Sequence, residues 1–186
     1  MAQREEIPLI DAFLTMSIEQ KSSLADWLAE EQAVRKRLAS GPGAGVAQPE
    51  QTAANTGLDV LQSMLNGEIP YAPMAKTLGY VLIAVGPGTA SFQGVPSPGF
   101  LNSIGTVHGG WYATLLDSAM GCSVYTMMPA GRAYTTAELK ANLVRGVSLD
   151  LPCVRAEGRV IHCGRRVAIA EARLVGPDGA LYGHAT

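Results

Sequence analysis

The stretch His108-Gly109-Gly110-Trp111-Tyr112-Ala113-Thr114-Leu115-Leu116-Asp117-Ser118-Ala119-Met120-Gly121-Cys122-Ser123-Val124-Tyr125-Thr126-Met127-Met128 sets the architecture of this chain. Asp117 is the only charged residue between His108 and Ala130, and apolar residues fall on every side of a helical wheel drawn through the segment. A helix apolar all round is either buried in a core or spans a membrane. The length suits a span. However, His108, Asp117, several Ser and Thr and three glycines are scattered through it, and no basic residues flank it, so a buried core helix is expected. A lone carboxylate inside such a helix must be paired or serve chemistry, because an unpartnered buried charge is costly.

The segments on either side are of different kinds. At 17–38 the positions Ile18, Leu24, Leu28, Val34 and Leu38, interleaved with Glu, Lys and Arg, read as a surface helix, with Ser17 and Gln20 at capping-box spacing. Ser40-Gly41-Pro42-Gly43-Ala44-Gly45 and Gln48-Pro49-Glu50-Gln51 read as a flexible connector. Residues 1–50 are therefore expected to be a helical arm and linker, and 51–186 the main domain. A second helix is predicted at 56–66, with Thr56 and Asp59 at capping-box spacing and Gly67 just past its end. From 78 to 85 the sequence is β-rich, Gly86-Pro87-Gly88 is a turn, and 89–95 reads as the returning strand. Residues 96–105 form a loop into the apolar helix. Four strand candidates follow it: 133–144, 154–163, 167–175 and a last one opening at Leu181 and running to the end of the sequence given. The alternation of Arg155, Glu157, Arg159 and Ile161 with Ala156, Gly158, Val160 and His162 fits a half-buried antiparallel strand. This order predicts an α+β fold in which about six antiparallel strands pack one face against the long helix.

With 186 residues, 47% of them apolar, and a net charge of −2, the chain has material for one good core. Residues 132–186 carry eight Lys/Arg against five Asp/Glu, while the rest is acidic. A nucleic-acid partner is thus not expected, and only the last third is suited to meet an anion. Ten of the fourteen cations are Arg, which suits forked phosphate contacts. Cys122, Cys153 and Cys163 show neither CxxC spacing nor His pairing, so they read as core residues in a reducing, cytoplasmic setting, with no metal site. The first residues have mixed polarity and no continuous apolar run, as expected of a protein without a secretory leader.

No GxSxG, Walker or HExxH motif is present, which leaves the His108-to-Asp117 constellation to carry any chemistry. Two glycines at a helix start let a ligand approach free N–H groups at the positive end of the helix dipole, an arrangement that can polarise a carbonyl. Equally, Gly109 and Gly110 could serve only to let the helix pack closely. Gly109 and Asp117 are eight residues apart, about 12 Å along one helix axis at ~1.5 Å per residue. One reacting carbon cannot touch both. If both act, Asp117 must come from a second copy of the helix across a two-fold axis. The simpler alternative is that only one of the two works.

Asn102, His108-Gly109-Gly110, Asp117 in Leu-Leu-Asp-Ser-Ala-Met-Gly, and the run Thr135-Thr136-Ala137-Glu138-Leu139-Lys140-Ala141-Asn142-Leu143-Val144-Arg145 resemble the PaaI-type (phenylacetic acid degradation) branch of hotdog-fold acyl-CoA thioesterases over about 57–186. The resemblance implies a long helix wrapped by an antiparallel sheet, homodimers with shared active sites commonly paired into homotetramers, and hydrolysis of an acyl-CoA thioester without a metal or other cofactor. By position, Gly109 is the oxyanion-hole N–H and Asp117 of the partner subunit the base or nucleophile. Asn102 places the water or thioester, and His108 with Gly110 shapes the substrate site. Thr136 matches a hydroxyl residue that contacts the attacking water in some relatives, and Thr135 competes for that role. Gly121 stands where another hotdog branch has Thr, which favours the Asp-using branch. Arg165 and Arg166 are candidates for the CoA phosphates. Trp111, Tyr112, Met127 and Met128 are either the lining of an acyl pocket, which would suit an aryl or medium-chain acyl group, or plain core. The competing functional reading is a non-catalytic acyl-CoA-binding or sensor module on the same fold. A hotdog hydratase fits the HGG-to-Asp spacing poorly.

Overall fold

The computed structural model describes residues 18–186. The expected cap at Ser17 lies outside them. The elements are α1 (Ile18–Ala39), α2 (Pro49–Thr52), α3 (Gly57–Asn66), α4 (Pro73–Thr77), β1 (Tyr80–Gly86), β2 (Thr89–Gly94), a 3₁₀ turn (Pro98–Phe100), α5 (Gly109–Tyr125), β3 (Ala141–Leu143), β4 (Val154–Cys163), β5 (Ala168–Val175) and β6 (Leu181–Ala185). The strands form one sheet in the order β1-β2-β4-β5-β6-β3, with every pair antiparallel. The long apolar helix α5 packs against β2, β4 and β5.

Side-chain size explains how closely α5 sits. Registered across the sheet are the rungs Ala90–Gly158–Ala172 and Phe92–Ala156–Leu174, all buried. Small residues dominate these rungs, so the helix axis can come down onto the strands. At Gly158 the approach is backbone to backbone: a Cβ there would lie 2.3 Å from the Ala119 carbonyl oxygen. Leu115, Leu116 and Ala119 are fully buried in this interface, as a helix apolar on every side requires.

The helix expected at 56–66 is α3, with its cap as read: Thr56 Oγ1 accepts from the Asp59 N–H at 3.2 Å, the Asp59 carboxylate accepts from the Thr56 N–H at 3.3 Å, and Gly67 closes the end at φ 78°. The short helices α2 and α4 begin at Pro49 and Pro73, where proline opens a helix without losing a needed N–H. Residues 40–50 are tied back to the body, since Gly45 N–H donates to the Tyr71 carbonyl at 2.9 Å and Tyr71 N–H to that of Gly43 at 3.1 Å. The charged helix α1 is also seated. Leu24, Val34 and Leu38 are buried while Leu28 is exposed, and a polar cluster clamps its middle. There, Gln93 of β2 is fully buried and donates through Nε2 to Glu31 Oε2 at 2.5 Å. Arg155 of β4 donates to Gln93 Oε1 at 2.7 Å, pairs with Glu30 at 2.9 Å, and places its guanidinium 4.2 Å from the Trp27 ring centroid. By strand alternation Gln93 faces away from the side of the sheet that holds Phe92.

One strand is shorter than its sequence pattern predicts. Of 133–144 only Ala141–Leu143 forms a strand, paired with β6. Lys140 exchanges both backbone hydrogen bonds with Thr186. β3 is an edge strand of the sheet, and Leu139, Leu143 and Val144 in and beside it are exposed. Among the described residues, no helix is long and apolar enough to cross a membrane.

Candidate active site

The site begins in the loop before α5. The Asn102 carboxamide holds this loop, since Oδ1 accepts from the Ile104 and Thr106 N–H groups, each at 3.1 Å, and Nδ2 donates to Thr106 Oγ1 at 2.7 Å. The loop delivers His108, whose N–H donates to the Phe100 carbonyl at 2.8 Å. His108 is the N-cap of α5: Nδ1 accepts from the Gly110 N–H at 2.8 Å, and its carbonyl accepts from Trp111 N–H at 2.9 Å. With Nδ1 accepting, the neutral ring carries its proton on Nε2. The cap uses the N–H groups of Gly110 and Trp111. The N–H of Gly109 is thereby left as the helix-end donor that the cap does not occupy. Both glycines also answer local crowding: a Cβ on Gly110 would meet the His108 ring at 2.9 Å, and one on Gly109 would meet the Leu143 side chain at 2.9 Å. Trp111 and Tyr112 are core. Trp111 Nε1 donates to the Leu78 carbonyl at 2.9 Å, its ring stacks on Phe100, and the Tyr112 hydroxyl accepts from Val147 N–H.

Two turns further along the helix, Asp117 is half-buried and Oδ1 accepts a hydrogen bond from Thr136 Oγ1 at 3.1 Å. The pair sits where two cavities meet. On one side is an apolar pocket of about 260 Å³, bounded by Tyr80, Phe92 and residues of α1, α3 and α4. On the other is an open groove of about 740 Å³ running past Arg132, Arg165 and Arg166. Asp117, Tyr134 and Thr136 line both.

The structure thus separates the sequence candidates into two groups. Asp117, Thr136, Arg165 and Arg166 share the groove. Gly109 and Gly110 open the same helix, with Gly109 about 12 Å from Asp117 at the helical rise, and Asn102 and His108 precede it.

Four neighbours of Asp117 were not singled out from the sequence. The Tyr80 hydroxyl and Ser118 Oγ lie 3.1 Å apart at the pocket wall. Burial pushes the Cys122 thiol up to about 12, with the Asp117 charge adding to the shift. Burial likewise raises the Tyr134 phenol, helped by the nearby Cys122 and Asp117. Both keep their protons at neutral pH, so they present donors rather than competing anions. Tyr134 packs closely on Gly121, where a Cβ would lie 2.7 Å from the phenol oxygen. Among the described residues, no three His, Cys, Asp or Glu side chains gather as a metal ion would require.

The sequence profile described as the thioesterase superfamily matches residues 104–182. In structure, the chain is similar to a phenylacetic acid degradation-related protein from Ralstonia eutropha, at 30% identity and a TM-score of 0.61, over 67% of this chain and 93% of that one. A point variant of the phenylacetic acid degradation protein PaaI from Thermus thermophilus matches at 25% identity and a TM-score of 0.54, over 61% and 93%. The PaaI protein of E. coli, at 20% identity and a TM-score of 0.53 over 60% and 82%, shares the fold. Comparison with curated proteins gives no match. A helix laid on a six-stranded antiparallel sheet, the profile match and the Ralstonia relative agree, and the chain belongs to the PaaI-type branch of the hotdog-fold thioesterases.

Proposed function

We propose that this protein hydrolyses an acyl-CoA thioester at sites shared between two subunits. The observation that carries the reading is the position of Asp117: held by Thr136, it stands between an apolar pocket and an open groove edged by arginines. A thioester has the same three parts, an apolar acyl group, a reacting carbonyl and a polyphosphate-bearing thiol. The Gly109 N–H of one subunit polarises the carbonyl, and Asp117 of the other subunit attacks it or activates water. His108 fixes the helix end that presents Gly109, and Gly110 leaves room for the thioester. Asn102 holds the loop beside that end, and Thr136 orients the carboxylate. Arg165 and Arg166 receive the CoA phosphates.

The free side of the edge strand β3 suits antiparallel pairing with a second copy, since an apolar-lined strand edge favours association. Two such dimers pair into a homotetramer. The chain works in the cytoplasm, where its three free cysteines stay reduced.

The test is Asp117→Asn, assayed by thiol release from a panel of acyl-CoA and aryl-CoA thioesters. Turnover should fall by roughly 10²–10⁴ with folding unchanged. Near-parental turnover would end the assignment. Tight binding of acyl-CoA by the parent protein with no thiol release would favour the binding-module reading.

A further inference from the structure

The hairpin that feeds α5 holds an apolar side chain out into solvent. Its ends are tied by the Leu101–Val107 bridge. Inside it, Asn102 N–H donates to the Thr106 carbonyl at 2.8 Å and Gly105 N–H to the Asn102 carbonyl at 3.0 Å. The Asn102 carboxamide adds its bonds to Ile104 and Thr106, and Gly105 turns the chain at φ 82°. At the tip, Ile104 is 82% exposed, the highest value of any large apolar residue among those described. Single apolar side chains on a surface are ordinary. This one is presented by a loop already fixed by its own hydrogen bonds, so little conformational freedom is lost when it docks.

Two observations set that tip against a second copy of the chain. A Cβ on Gly109 would meet the Leu143 side chain at 2.9 Å, so the helix end and the hairpin before it stand over β3, the edge strand. The shared site supplies the direction. If Gly109 of one subunit and Asp117 of the other face one carbonyl, the two α5 helices run antiparallel with the two-fold axis midway between those residues, at Ala113. Whatever precedes Gly109 then lies beside the partner's helix past Asp117, over Gly121 and Cys122. Tyr134 packs on both of these and is itself exposed. Three residues of extended chain from Val107 reach about 10 Å, enough to carry Ile104 across.

We propose that Ile104 of one subunit seats on Tyr134 of the partner subunit, and that this contact brings the Gly109 N–H up to the partner's Asp117. The inference rests on the shared-site reading above. Ile104 is then a positioning residue for a site that one subunit cannot complete.

The test has two arms, both on the full chain. In a background with Cys122 and Cys163 replaced by Ser, the double variant Ile104→Cys with Tyr134→Cys should form a covalent dimer with a short bismaleimide, and neither single variant should. In the second arm, fluorescence-detected sedimentation should show the dimer Kd of Ile104→Ser raised by roughly 10²-fold or more, since two large aliphatic contacts are lost per dimer. Its acyl-CoA turnover should fall at concentrations below that Kd and recover above it. Ile104→Leu, and Val46→Ser on the exposed connector, should keep the parental Kd. If either arm fails while thioester turnover persists, the inference is overturned and the hydrolase reading stands. If both arms succeed in a protein that cleaves no thioester, the contact stands and the hydrolase reading falls. A parent protein that is monomeric at every concentration overturns the contact and the shared site together.

Discussion

Adding one methyl group at Gly158 should damage catalysis more than folding. A Cβ on Gly158 would sit 2.3 Å from the Ala119 carbonyl oxygen, 2.5 Å from its carbon and 2.9 Å from the Met120 nitrogen, all helix backbone that cannot rotate away. Ordinary contact begins near 3.4 Å, so α5 must retreat by about 1 Å or β4 must bend. Overpacking of this kind costs about 1–3 kcal/mol, and replacing Gly by Ala returns roughly 0.4–1 kcal/mol through the unfolded chain. The net loss of at most about 2.6 kcal/mol lowers Tm by no more than about 10 °C at this chain length. Asp117 lies on the same helix one turn or less from the contact, and an error of about 1 Å in a reacting group costs on the order of 10² in rate. Gly158→Ala should therefore stay folded at 25 °C while losing most thioester turnover. Gly146→Ala is the matched control, because a Cβ there meets nothing within 4 Å. The assays are calorimetric unfolding and kcat/KM on one acyl-CoA for both variants. Equal Tm and equal turnover in the two would show that α5 is not held at the distance described.

Four further outcomes are expected. Thr136→Val removes the donor to Asp117, and since that carboxylate is half exposed, kcat/KM should fall only about five- to tenfold. Thr136→Ser should restore it, with KM little changed throughout. Gln93→Leu deprives Glu31 and Arg155 of a shared partner and should cost about 2–4 kcal/mol in urea unfolding, with protease cleavage appearing inside α1. Burial holds the Cys122 and Cys153 thiols at about 12 in the folded protein, above their ordinary value of 9.0. Between pH 9 and 12 the unfolded chain gives up these protons first, so stability should be flat at neutral pH and fall by about 1.4 kcal/mol per pH unit per thiol across that window. At pH 8, thiol labelling of the native protein should reach the exposed Cys163 and spare the other two.

The sequence features that could be read were those with local causes. The apolar run around Asp117 announces α5 because no surface helix lacks a polar face, and the Thr56–Asp59 box with Gly67 brackets α3 because caps are chemical and adjacent in sequence. Asp117 stood out because it is alone. What stayed hidden depends on distant partners. Gln93 looks like any strand amide until Glu31 and Arg155 are seen on either side of it, and the charged helix α1 looks solvent-facing until Leu24, Val34 and Leu38 are found packed. Tyr134 and Tyr80 come to Asp117 from opposite sides of α5 in the sequence. The pattern at 133–144 predicts a full strand, and within it Ala141–Leu143 pairs with β6. The resemblance places His108 and Asn102 on the substrate side, and the bonds they make within the chain hold the helix end and its loop.

The pocket beside Asp117 joins two distant stretches of sequence, since one wall belongs to residues 38–75 and Asp117 to α5. Substitutions in the first stretch reshape the cavity without touching the carboxylate or the helix that carries it. Surveys of natural variants should therefore find more tolerance on that wall than along α5.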